Sequence, residues 1–224
     1  MKYLIFDAGP LISLAMNGLL DVLEKLKKEF NGEFIITTQV KKEVVDRPAR
    51  IKQYALESFR MKDLLDKGVL KLASKFVANN QIEKETMRIL KITNSVFQTR
   101  GENIELVQEA EASCLAFSNL CNAENVIVID ERTTRMLTES PQNLQKLMEG
   151  KLHTKIKPNK KNLEQLKNFK FIRSTELVYI AYKKNLIPLK DGKELLDALL
   201  YGLKYKGTAI SSGEIEVMKS LAKG

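Results

Sequence analysis

At 224 residues and 25.5 kDa the chain is long enough for one large domain with its own hydrophobic core, or one domain with a sizeable appendage. Its 44% hydrophobic and 29% charged residues exclude a disordered chain, and no apolar run is long enough to cross a bilayer. The 37 Lys+Arg against 28 Asp+Glu give a net charge of +9, which favours polyanionic partners, while a single histidine, His153, removes most His-based triads and His-rich metal centres. The N-terminus has no apolar signal region, so a cytoplasmic location is expected. Cys114 and Cys121 fall in one predicted helix, too far apart along its axis to bridge, and no Cys-x-x-Cys pair exists, which disfavours disulfides and structural zinc.

Lys2-Tyr3-Leu4-Ile5-Phe6 is a run of strand formers that stops at Asp7-Ala8-Gly9-Pro10, which predicts a buried strand turning straight into a helix with Pro10 in its first turn. Leu11, Ile12, Leu14, Ala15, Leu19, Leu20, Val22, Leu23 and Leu26 then recur at helical spacing, broken at Asn17-Gly18. Asn31-Gly32 marks a turn and Phe34-Ile35-Ile36 a second strand. Thr37 or Thr38 caps the next helix, which turns Val40, Val44 and Val45 inward and stops at Pro48. From Ile51 to Gln98 the pattern is mostly helical, with a third strand at Val69-Leu70-Lys71-Leu72. Ile104 to Leu120 predicts a helix whose Ala110, Cys114 and Leu115 face the core. Val126-Ile127-Val128-Ile129 is the clearest strand and ends on Asp130. Strands alternating with helices imply an α/β fold with a parallel sheet covered on both faces.

Beyond Thr138 the composition shifts. Lys151, Lys155, Lys157, Lys160, Lys161, Lys167, Lys170 and Arg173 face one acid, Glu164, in a loop-rich basic segment leading to a last strand at Phe169-Lys170-Phe171-Ile172. Ser174 or Thr175 caps a helix through Lys184, a second runs from Lys190 to Lys204, and Ser211-x-x-Glu214 is a capping box for the final one. The expected organisation is a domain over 1–175, carrying a helical segment (50–100) and a basic insertion (136–168), with a helical extension over 176–224 packed on it.

In an open parallel sheet, functional groups gather at the carboxyl ends of the strands. Asp7 and Asp130 each follow a buried strand and precede a helix, which places both carboxylates at that edge; alone, either reads as a helix cap. Glu43 can reach the same edge from the helix after the second strand. In Glu109-Ala110-Glu111-Ala112, one acid borders the edge and the other points outward, the phase leaving open which. Converging carboxylates repel one another unless a cation neutralises them, and oxygen-only ligands suit Mg²⁺ or Mn²⁺.

These residues, in order and spacing, resemble PIN-domain proteins: Phe6-Asp7-Ala8-Gly9-Pro10-Leu11-Ile12, Thr38-x-x-Val-x-x-Glu43, Glu109-Ala110-Glu111-Ala112, and Ile129-Asp130-Glu131-Arg132 with Arg135. They are most similar to a prokaryotic PIN-like group with an Asp-Ala-x-Pro-Leu-Ile start, whose C-terminal helices the stretch from Thr175 to Leu199 also resembles. The resemblance implies a three-layer α/β/α sandwich on a five-stranded parallel sheet and a Mg²⁺- or Mn²⁺-dependent ribonuclease. It maps the ligands to Asp7, Glu43, Glu111 with Glu109 beside it, and Asp130. It also brings an antitoxin protein and a second copy of the chain as partners, the latter through Ile187 to Leu221. Ala8 and Gly9 stand where many family members carry Ser or Thr.

Around such a pocket, Arg132, Arg135, Lys155, Lys157, Lys160, Lys161 and Arg173 are the candidate contacts to an RNA backbone. The competing reading is a noncatalytic PIN-like module that binds RNA or protein through Lys151 to Arg173.

Overall fold

The run after Lys2 forms a strand because alternate side chains on both of its faces find apolar cover, leaving Tyr3 to Phe6 buried. The structure, a computed structural model, describes residues 2–166, 168–189 and 194–222. In chain order the elements are β1 (Lys2–Phe6), α1 (Ala8–Met16), α2 (Leu20–Glu29), β2 (Glu33–Ile36) and α3 (Thr38–Lys41), which continues as a π-helical turn (Lys42–Asp46) and ends at Pro48. There follow α4 (Ala55–Asp66), β3 (Leu70–Leu72), α5 (Asn79–Thr93), β4 (Phe97–Thr99), β5 (Glu102–Asn103), α6 (Glu109–Leu120) and β6 (Glu124–Val128). The last third holds α7 (Arg132–Glu139), α8 (Pro141–Leu152), β7 (Lys157–Pro158), α9 (Lys160–Glu164), β8 (Phe171–Ile172), α10 (Ser174–Lys183), α11 (Leu195–Tyr205) and α12 (Ser212–Ala222).

Five strands make one sheet in the order β3-β2-β1-β6-β8, and every pairing in it is parallel. Helices α5 and α6 pack together, as do α1, α2 and α10, giving the expected three-layer α/β/α sandwich. Its centre is aliphatic and aromatic: Ile5, Phe6, Phe34, Ile35 and Phe117 are fully buried, with the Phe6 and Phe34 rings 5.2 Å apart in a tilted arrangement. The chain leaves β1 toward β2 and β3 and later returns to its other side as β6 and β8. The order in which strands are added therefore reverses between β1 and β6, and a crevice opens there at the carboxyl ends of the strands.

Three local expectations are revised. Residues 104–107 are irregular rather than helical, because the Asn94 side chain holds their backbone: its Oδ1 accepts from Leu106 N–H (2.8 Å) and Val107 N–H (2.9 Å), and its Nδ2 donates to Val107 O (3.0 Å). The helix starts only at Glu109. The end of the region read as helical instead forms β4, which turns back through Arg100 and Gly101, both at positive φ, into a small antiparallel sheet ordered β5-β4-β7. The basic segment supplies β7 and α9 to this part of the fold, with Ile156 and Leu166 buried beneath it. In α11, Leu199 and Leu203 join the main core and Leu196 and Leu200 a second cluster with Ile210 and Ile215, so its apolar spacing serves packing within the chain. The expected start of this helix at Lys190, and Lys167 of the basic segment, lie outside the described residues.

Gly32, in the turn before β2, has a reason to lack a side chain. A Cβ there would collide with the Lys2 carbonyl oxygen and the Phe30 ring. Gly32→Ala should cost about 1–3 kcal/mol through forced displacement at the sheet edge, read as a lower urea midpoint with an unchanged slope.

Candidate functional site

At the β1/β6 switch point the sequence places an acid on each side. Asp7 directly follows β1 and caps α1, its Oδ2 accepting from Gly9 N–H (3.3 Å). Its Oδ1 is buried and has no hydrogen-bond partner among the described residues. A cap uses one oxygen of a carboxylate, so the cap alone gives no account of the other. Burial pushes the Asp7 carboxyl up to about 6, against the Ala8 and Gly9 N–H groups that pull it down, with the charges of Glu43 and Asp130 adding to the rise. Gly9 lies between the two aspartates: a Cβ on it would meet Asp7 Oδ2 at 3.5 Å and Asp130 Cβ at 3.8 Å.

Asp130 sits two residues beyond β6, only 2% exposed, with both oxygens engaged. Oδ1 accepts from Ser174 N–H (2.8 Å), and Oδ2 from Ser174 Oγ (2.8 Å) and Thr208 Oγ1 (2.9 Å). It therefore caps α10 from a distance; the expected cap residue, Ser174, is the donor. Burial raises its carboxyl above the usual range in spite of these donors.

Glu43 reaches the edge from the π-helical turn, a distortion of the kind that often re-aims a side chain at a site. It is half-buried, with Arg47 Nη1 at 3.9 Å; burial raises its carboxyl, Arg47 opposes this, and Glu109 adds to it. Glu111 lies in the first turn of α6, where Oε2 accepts from Thr134 Oγ1 (2.7 Å) and more weakly from Gln108 N–H (3.4 Å). Burial raises its carboxyl to about 7, with Asp7 and Glu131 contributing and Thr134 opposing.

Asp7, Glu43, Glu111 and Asp130 all line one cleft of about 290 Å³. Glu109 does not: it is exposed, its carboxylate 3.5 Å from the Gln39 amide. The phase left open in the sequence thus resolves with Glu111 inward. Two charged residues of the cleft escaped the sequence reading as site candidates. Glu131 lines it while capping α7 through Thr134 N–H (2.7 Å); its place right after Asp130 was the available signal. Lys206, in the loop between α11 and α12, is the one cation lining the cleft among the described residues, and nothing local in the sequence marks it.

Among the described residues, no three Asp, Glu, His or Cys side chains stand together as a ready metal-holding group. Each carboxylate except Asp7 leans toward a protein partner: Glu43 toward Arg47, Glu111 toward Thr134, Asp130 toward Ser174 and Thr208. The donors facing the cleft are nonetheless hard oxygens, and Asp7 Oδ1 is a buried acceptor without a donor, which fits a hard divalent cation.

The expected nucleic-acid contacts are scattered. Arg132 is exposed at the start of α7, and Arg135 is half-buried with its Nε unpaired, yet neither lines the cleft. Lys155, Lys157, Lys160 and Lys161 are exposed around β7 and α9 and also lie outside its lining. Arg173 is corrected to a structural role: only 9% exposed, it donates to Glu176 (Nη2 to Oε1, 2.6 Å), Glu214 (Nη1 to Oε1, 2.7 Å) and the Ala209 carbonyl (3.2 Å). Its donors are satisfied inside the fold.

No helix among the described residues is long and apolar enough to cross a membrane. Comparison of the chain with protein-family models, curated proteins and solved structures finds no match.

Proposed function

We propose that the chain is a PIN-like, Mg²⁺- or Mn²⁺-dependent ribonuclease that hydrolyses RNA phosphodiesters at the acidic cleft. The observation that carries this reading is Asp7 Oδ1, a buried acceptor without a donor in a cleft that also receives Glu43 and Glu111. Three carboxylates raised together by burial and mutual charge have one common remedy, a cation between them. Bound there, a divalent ion supplies Lewis acidity toward a phosphate oxygen and an attacking water.

The chain's own residues set the geometry. Asp7, Glu43 and Glu111 would present the ligand oxygens, and Glu111 would also orient the attacking water. Asp130, fixed by Ser174 and Thr208, holds the β6 wall and adds negative potential. The net charge of +9 beside this local acidity suits a polyanion that is gripped at a distance and cut at the metal.

A second reading, a noncatalytic binding module, draws on one observation: no three acids stand preassembled for a metal among the described residues. Incubation with a mixed RNA panel in Mn²⁺ or Mg²⁺ separates the two. Metal-dependent cutting by the wild type, lost in Asp7→Asn and Glu111→Gln, is the expected result. RNA binding without cutting, unchanged in both variants, would establish the binding module instead.

A further inference from the structure

Beside the acidic cleft lies a second hollow of about 230 Å³, and Ile12 lines both. Its walls include Ile12 and Met16 of α1, Val44 of the π-helical turn, and Tyr54 and Met61 at and within α4. Ile12, Met16 and Tyr54 are 41%, 47% and 42% exposed, an unusual grouping of large apolar side chains around one concavity. The volume falls below the roughly 300–1,000 Å³ of sites for drug-sized ligands, on the scale of a single ring system.

The two hollows are built by the same elements. Asp7 begins α1 and Ile12 lies about 7.5 Å further along its axis, at about 1.5 Å per residue. Glu43 and Val44 are consecutive, one lining the acidic cleft and the other the apolar hollow. A nucleotide has this layout, an anionic phosphate and a flat apolar-faced ring held a short, fixed span apart. One charged group edges the hollow with nothing to bind: Glu57 lines it, and its carboxylate makes no hydrogen bond or ion pair with any described residue. The neighbouring Ser58 hydroxyl is already committed to Val45 O (2.8 Å).

We propose that this hollow seats the nucleobase next to the phosphate held in the cleft, with Tyr54 as stacking surface, Ile12 and Met16 as apolar walls, and Glu57 accepting from the base edge. The inference rests on the reading of the cleft as an RNA-cutting centre. Aromatic and aliphatic walls accept the face of any base. An ionised carboxylate only accepts, so it selects a base with donors on its edge. Guanine offers adjacent N1–H and N2–H groups; uracil offers one N–H flanked by carbonyl oxygens that a carboxylate repels. The site should therefore prefer guanine.

The test has a cleavage arm and a binding arm. With Mn²⁺, short RNAs carrying one guanine or one uracil beside each linkage should be cut about tenfold faster at the guanine. Glu57→Gln should slow cutting at guanine toward the uracil rate with the uracil rate little changed, and Tyr54→Ala should slow cutting at guanine about tenfold. Without metal, guanosine should raise the wild-type melting temperature more than uridine, and the difference should vanish in both variants. These positions lie at the rim of the hollow, and circular dichroism checks their folding. Cutting that ignores base identity and both substitutions overturns the base site and leaves the ribonuclease reading standing. Absence of cutting with selective nucleotide binding retained overturns the ribonuclease reading alone. Concentration-dependent dimerisation abolished by Met16→Asp would make the hollow a contact between copies and also overturn the base site.

Discussion

Asp7→Asn is expected to make the metal-free protein more stable at pH 8, by about 3 kcal/mol, and to remove the metal-dependent cleavage proposed above. The carboxyl at this position moves from 3.8 to about 6 on folding, and a rise of that size corresponds to about 3 kcal/mol. The sign follows from which form burial favours. The folded state holds the Asp7 proton more tightly than the unfolded chain, so this contribution is fully present below about pH 4 and is lost as pH rises through 6. Asn keeps the cap on Gly9 N–H, carries no charge, and can place a donor where Oδ1 had no hydrogen-bond partner among the described residues. Glu111, raised to about 7, acts in the same direction over a slightly higher window, weakened by its partial exposure. Urea unfolding in EDTA from pH 4 to 8 should show wild-type stability falling relative to the variant across this range. Parallel curves would contradict the burial of an ionised Asp7. Added Mn²⁺ should restore stability to the wild type far more than to the variant, since only binding to the folded state stabilises.

Arg173→Ala is expected to cost about 2–3 kcal/mol, somewhat below the 3–5 typical of a fully buried pair that loses one partner, because Glu176 and Glu214 keep contact with water. The guanidinium joins three places: the start of α10, the carbonyl of Ala209, and Glu214 in the first turn of α12. Burial alone would weaken its charge, but Glu176 and Glu214 outweigh this and hold it above the ordinary value. Its loss should loosen residues 206–222 ahead of the sheet, seen as faster amide exchange there than in β1 and β6. Arg173→Lys should recover only part of the stability, since one ammonium cannot fork between two carboxylates and a carbonyl. Uniform acceleration of exchange across the sheet would refute the local role.

The parts of the site legible in the sequence were those set by short-range pattern. Asp7 and Asp130 could be read because each ends an apolar run that only a buried parallel strand accommodates, and the sheet order puts those strands side by side. The pairing of Glu43 with them was legible; the π-helical turn that aims it was not, because helical periodicity assumes a constant turn. Residues 104–107 misled for the converse reason: apolar spacing continued, but Asn94 had taken up the backbone groups that a helix would need. Arg173 looked like a phosphate contact because a run of basic residues says nothing about which one will meet Glu214, 41 positions later. Lys206 and Thr208 left no trace at all, since their place at the cleft comes from the tertiary route of the last helices.

The bond between Thr208 and Asp130 spans 78 positions. At about 5–20 residues per second of synthesis, Thr208 follows Asp130 from the ribosome by several seconds. At the start of that interval β1, β2, β3 and β6 and their acids have been made, but β8 and the wall formed by Lys206 and Gly207 have not. The wall formed by Lys206 and Gly207 can thus join the cleft only after all of its acids have been made.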